Sequence, residues 1–279
     1  MAMRTITRLR ELQSVHVYVA MITAVGVGIV GAVAVNGEAS IGRDFTEFWI
    51  FAALAAVGEL LPVRISRMNA GVAVTTSTIF TFALLLRFGV GAAVLAQTIA
   101  SIISDLASHK PIWKVSFNVS QYALSLAVSG VVLSMLTGTE GLGGIPGFAS
   151  GEIPAIFVAA TVFFLINNSL PRIDMALDAQ VPILALLRTD IPPQAPIDGV
   201  LLALAPIAVV AGERSLVLIP LLALPMLIIY KGASVYAEKE YKEHQALHDA
   251  LTALPNRTLF YDRVIKPCST RSALNNRLP

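Results

Sequence analysis

The chain has 279 residues, of which 56% are hydrophobic and only 14% charged, with a mean hydropathy of +0.73. Soluble domains need about a quarter of their residues charged to solvate a surface, so this composition excludes an ordinary water-soluble globule and points to a polytopic, all-α membrane protein. The net charge of +2 gives no case for nucleic acid as a partner, and the single cysteine, Cys268, excludes an intramolecular disulfide and a Cys-rich metal site.

Residues 1–14 carry Arg4, Arg8 and Arg10 and read as a cytoplasmic segment ahead of a first span near 15–35. That apolar run is about 21 residues long, well beyond a signal-peptide core of about 7–15, so a membrane helix is expected rather than a cleaved leader. Ala24, Gly28 and Ala32 form a small-xxx-small ridge suited to close helix contact. A second span is expected near 47–63, ending at Pro62 before Arg64 and Arg67. A third, near 70–86, is rich in Thr and Ser, and a tight turn at Arg87-Phe88-Gly89 leads into a fourth near 90–107. A fifth is expected near 112–136 and a sixth near 153–170, with a Gly-rich loop between them.

The apolar stretch near 180–188 is too short to cross a bilayer and is flanked by charges, which predicts a helix lying in the interface. Spans seven and eight are expected near 196–211 and 216–230, joined by Gly212-Glu213-Arg214-Ser215. With eight spans and the N-terminus inside, the inner segments hold Arg4, Arg8, Arg10, Arg64, Arg67, Lys110, Lys114, Arg172 and Arg188. The outer ones hold only Arg43, Arg87 and Arg214. This agrees with the positive-inside rule and places both termini in the cytoplasm, with the chain as a multi-pass protein of the cell (inner) membrane.

Polar groups within a membrane are costly and face a cavity or another helix. In the fourth span Gln97, Ser101, Ser104/Asp105 and Ser108 recur at helical spacing, and in the fifth Asn118, Gln121/Tyr122, Ser125 and Ser129 do the same. Serine and threonine serve readily as glue between helices, whereas amides and carboxyls cost more to bury unpaired. The candidate ligand-binding residues are therefore Glu59, Thr78, Gln97, Asn118 and Gln121. Asp105 can instead snorkel or pair with Lys110. His16, His109, His244 and His248 are scattered and carry no H-E-x-x-H pattern, so no metal ligand is assigned.

After Tyr230 the composition turns polar. Glu238–Lys242 and Lys239–Glu243 stand at i,i+4 spacing and support an exposed cytoplasmic linker helix over 231–248. Its incomplete apolar stripe offers a face for a homodimer. The next stretch, His248 to Val264, reads HDALTALPNRTLFYDRV. Pro255 suits a first helical turn, because its missing N–H was unpaired there anyway, and Asp249 and Thr252 supply short oxygens that cap backbone donors.

Asp249, Leu251, Thr252, Leu254, Asn256, Arg257 and Phe260 fall in a D-x-L-T-x-L-x-N-R-x-x-F run that resembles the opening of a GGDEF (diguanylate cyclase-type) domain. The resemblance covers 249–264 and implies that the membrane part is the sensor of a cyclic di-GMP signalling protein. An intact relative would convert two GTP into cyclic di-GMP with Mg2+, with or without a phosphodiesterase (EAL) domain behind it. The family's GG[D/E]EF turn, metal-binding aspartate and guanine-recognising residues are not matched here. No catalytic residue, cofactor or enzymatic activity is therefore assigned to this chain, and Mg2+ and GTP are implied only for an intact member. The non-matching tail, 265–279, reads as the mark of truncation or a frameshift.

Three readings follow. The first is a membrane sensory module facing an unidentified small-molecule ligand. The second is a solute-binding or transport-like bundle, supported by the polar stripes. The third is a structural membrane anchor that dimerises.

Overall fold

The computed structural model describes residues 2–36, 45–64, 73–139, 141–145 and 149–222, with isolated positions up to 242. Six helices follow in chain order: α1 Ala2–Asn36, α2 Phe45–Leu60, α3 Ser77–Ala107, α4 Ile112–Thr137, α5 Ile153–Ala179 and α6 Ile183–Arg214. Short 3-10 turns over Ser150–Glu152 and Leu216–Leu222 precede α5 and follow α6. Among the described residues, five helices are long and apolar enough to cross a membrane: α1, α3, α4, α5 and α6. This is a membrane protein by composition and architecture alike.

The chain forms two compact units. The larger, Met1–Pro62 with Thr75–Met226, is the helical bundle. The smaller comprises Val63–Val74 and Leu227–Pro279. Its described part is an antiparallel pairing of β1, Val63–Arg64, with β2, Ala73–Val74, in which Val63 lies opposite Val74.

The centre of the bundle is α3, which packs against α1, α2, α4 and α6. It is not one straight rod. Gly89 interrupts it with φ 85 and ψ −177, and the chain folds back so that Thr81 in the first arm bonds Gln97 in the second. A straight helix would hold those two residues about 24 Å apart. The turn expected at Arg87-Phe88-Gly89 is therefore present, and the third and fourth sequence elements are the two arms of one hairpin. The first arm differs from the expected span of 70–86 in that its helix begins at Ser77. At 77–88 it is about 18 Å long, too short for a hydrocarbon core of about 30 Å. A short arm is tolerated at membrane depth because protein, not lipid, surrounds it: every residue from Ser77 to Leu86 is buried. The second arm turns Ile99, Ile102, Ile103 and Leu106 outward at helical spacing.

Backbone from the Gly-rich loop closes the hairpin tip. The Val90 N–H donates to Leu142 O at 2.9 Å and the Ile145 N–H to Leu86 O at 2.6 Å. A Cβ on Gly89 would stand 2.4 Å from Leu142 O, so close approach and a positive φ both require glycine there.

The outer helices are held more loosely. Val17, Met21, Val25, Val27 and Val35 of α1 are exposed, as lipid-facing positions would be. Its other face meets α4 closely: a Cβ on Gly26 would overlap Ser120, whose hydroxyl donates to Thr23 O at 3.2 Å.

Two boundaries differ from the sequence expectation. Helix α5 runs through Pro171 to Ala179 rather than stopping near 170, and ends where Gln180 takes a left-handed conformation. Instead of an interfacial helix near 180–188 and a separate span from 196, α6 is continuous through Pro192, Pro193 and Pro196. Packing on a neighbouring helix sustains a segment that proline would end in water. The span expected near 216–230 is described only as far as Leu222 with Ile228, where the turn Leu216–Leu222 begins it. The linker over 231–248, the GGDEF-like opening over 249–264 and the tail over 265–279 lie outside the described residues, apart from four isolated positions.

Candidate functional site

Helix α2 ends against the hairpin, and there Glu59 enters the protein interior at 5% exposure. Its carboxylate is an acceptor for donors from three elements. The Ser77 hydroxyl, on the first arm of α3, donates to Oε2 at 2.5 Å. The Gln97 amide, on the second arm, donates to the same oxygen at 3.3 Å. The Tyr122 hydroxyl, on α4, reaches Oε1 at 3.5 Å. Gln97 in turn donates to Ser101 at 3.1 Å and accepts from Thr81 at 2.5 Å. Ser104 donates to the backbone carbonyl of Glu59 at 2.9 Å.

The geometry follows from helical spacing. Positions 97, 101 and 104 lie three and four apart on one face of the second arm, where Gln97 and Ser104 meet α2 and Ser101 supports Gln97. Among the described residues no cation bonds Glu59; its partners are hydroxyls and one amide. A single carboxyl thus gathers α2, both arms of α3 and α4.

A second group adjoins the first at the C-terminal end of the second arm. Asp105 accepts from Lys110 at 2.6 Å and from Asn118 at 2.9 Å. Asn118 accepts from Gln121 at 3.4 Å, and Gln121 Oε1 is buried with no bonded partner. Of the five predicted site residues, Glu59 and Gln97 therefore come together, while Asn118 and Gln121 join Asp105. Thr78 is buried on the first arm but is not a partner of Glu59. The serines of the α4 stripe act as glue: Ser129 donates to Ala159 O of α5 at 2.7 Å, and Ser125 to Gln121 O within its own helix at 2.7 Å.

Two further clusters escaped the sequence reading. At the hairpin tip Arg87 bridges Glu47 of α2 and Glu213 of α6, each at 3.3 Å. Between α5 and α6, Arg172 donates to Asn168 O at 2.6 Å, to Asn168 Oδ1 at 3.0 Å and to Gln194. Asn168 also donates to Asp198 at 3.0 Å. The signal was present, since Asn168/Arg172 and Gln194/Asp198 are two polar i,i+4 pairs on neighbouring segments. Arg172 was absorbed instead into the inner-loop charge count.

Among the described residues no three His, Cys, Asp or Glu side chains assemble to hold a metal ion. The arrangement around Glu59 can re-sort hydrogen bonds around one carboxyl when a proton or a polar group arrives. A model of MASE9, a family of membrane-associated sensory domains, matches residues 42–234. That stretch takes in α2 to α6 and every residue of the clusters above. No curated protein and no solved structure matches the chain.

Proposed function

The chain belongs to the MASE9 family, and from that premise we propose that its bundle is the input module of a bacterial cyclic di-GMP signalling protein. The observation that carries the proposal is the family match over 42–234, which takes in α2 to α6. The resemblance of 249–264 to the opening of a GGDEF domain supports the choice of output. In this reading the bundle sits in the inner membrane with both termini cytoplasmic, so that the linker over 231–248 hands its state to a cyclase. Pairing of two linkers would bring two GTP-loaded domains face to face.

The sensing centre in this account is Glu59 with Ser77, Gln97 and Tyr122. A stimulus that protonates Glu59, or that offers it a better donor, frees hydroxyl and amide groups on three elements at once. Joining residues 1–264 in frame to the remainder of an active GGDEF domain tests the module. The expected result is a cellular cyclic di-GMP level that differs from that of the same cyclase without the bundle. Equal levels across growth pH and solute conditions would oppose the reading. Uptake of a radiolabelled solute by vesicles containing the chain would favour the transport-like alternative, to which the buried polar network also lends itself.

A further inference from the structure

Glu59 is a buried carboxyl that meets no counter-charge among the described residues. The Lys110 ammonium is taken by Asp105 at 2.6 Å. Helix ends do not supply the missing charge. The first arm of α3 starts at Ser77 and α2 stops at Leu60. A positive and a negative helix end, each about half a charge, therefore meet at this carboxyl and oppose one another. A bare carboxylate at membrane depth is costly, and a proton or a cation relieves it.

The atoms around it suit a hard cation, because they are oxygens. Ser77 Oγ stands 2.5 Å from Glu59 Oε2, and Thr75 Oγ1 stands 2.8 Å from Ser77 Oγ. Glu59 Oε1 is barely engaged: its one partner is the Tyr122 hydroxyl at 3.5 Å, the outer limit of a hydrogen bond. Each hydroxyl can turn its hydrogen away and present a lone pair instead. Gln97 can do the same by a half-turn of its amide. Apart from Glu59, its side-chain partners are the hydroxyls of Thr81 and Ser101. Both accept as readily as they donate, so the flip keeps both partners and turns Oε1 towards Glu59.

Charge sets the valence. One carboxylate balances one positive charge, whereas a divalent ion would leave a net charge buried. Asp105, the acid on the same arm of α3, is already paired with Lys110. Oxygens drawn this close fit a small ion better than a large one.

We propose that Glu59, Ser77, Thr75, Tyr122 and the flipped amide of Gln97 form a sodium-ion site where α2, the α3 hairpin and α4 meet. This deepens the sensory reading and rests on it for what occupancy means. The ion is the input, and the flip carries it onward: Gln97 accepts from Thr81 without the ion and donates to Thr81 with it. The first arm of α3 thereby feels an event at the end of α2.

Binding of radioactive sodium to the full chain in lipid nanodiscs tests the site. The pH is fixed and alkaline, and choline chloride holds the ionic strength constant. The parent should show saturable binding that unlabelled NaCl displaces and the same concentration of KCl does not. Glu59→Gln should weaken it by at least about tenfold. Ser77→Ala and Thr75→Val each remove one neutral ligand and should weaken it by about threefold or more. They keep the test available if Glu59→Gln yields no folded protein. Ser129→Ala, remote from the site, should bind as the parent does. Absence of saturable binding in the parent overturns the proposal, as does displacement by KCl equal to that by NaCl. Unweakened binding in whichever of the three site variants folds overturns it too. Occupancy is read here without any output domain, so a failure leaves the sensory reading itself to the cyclase fusion.

Discussion

The cluster around Glu59 and the cluster around Arg172 solve the same problem by opposite means. Each buries a group that water would otherwise solvate. Glu59 is an acceptor met by hydroxyls and an amide from α2, both arms of α3 and α4. Arg172 is a donor met by oxygens from α5 and α6 alone. The first lies against the first arm of α3, buried from Ser77 to Leu86, the second between two helices that also expose apolar side chains such as Leu165, Met175, Val200 and Ile207. A perturbation at Glu59 is therefore shared among four elements, whereas one at Arg172 acts on the relation of two. The first arrangement suits a sensing centre and the second a tie between two helices.

That contrast can be broken at its foundation by disturbing the hairpin. Gly89→Val sets a β-branched side chain at positive φ and against Leu142 O, and is expected to cost at least about 3 kcal/mol. Loss of monodisperse protein in size-exclusion chromatography would report it, and a normally folding variant would contradict the hairpin. Next in size is Arg172→Leu, which leaves Asp198 and Gln194 without their cation and should cost about 3 kcal/mol, read as a lower unfolding midpoint in detergent. Glu59→Leu leaves Ser77, Gln97 and Tyr122 seeking new acceptors. It should cost about 2 kcal/mol, less than the arginine change because neutral hydroxyls find other acceptors more easily. If Glu59→Leu proved the more damaging of the two, the ranking drawn here would be reversed. The smallest effect belongs to Ser129→Ala, the loss of one interhelical bond to Ala159 O, at about 0.6 kcal/mol with no change in signalling output.

Much of this was legible before any coordinates. The spacing of Gln97, Ser101 and Ser104 already put them on one helical face, and Glu59 stood out as a carboxyl deep in an apolar run. The turn at Arg87-Phe88-Gly89 was visible as a break between two apolar stretches. What could not be read was that the stretches fold against each other inside the bundle. Hydropathy marks both a lipid-facing span and a protein-buried arm as apolar, and only packing separates them. For the same reason the serines could not be sorted in advance, and Ser77, next to the predicted Thr78, proved to be the partner of Glu59. The charges flanking the short apolar stretch near 180–188 made it read as a separate interfacial helix, whereas α6 runs on through Pro192, Pro193 and Pro196. Arg172 was read as a topological charge, although its i,i+4 relation to Asn168 was already in the sequence.

The central claim is that Glu59 is where the bundle registers its input. The most direct measurement compares cellular cyclic di-GMP in the cyclase fusion carrying Glu59→Gln with the same fusion carrying Ser129→Ala. Glutamine keeps the size of the side chain and removes its ability to hold a charge or to accept at both ends. The account predicts that Glu59→Gln locks the output at one level that no longer follows growth conditions, while Ser129→Ala responds as the parent does. A Glu59→Gln fusion that still tracks those conditions, in step with Ser129→Ala, would contradict it.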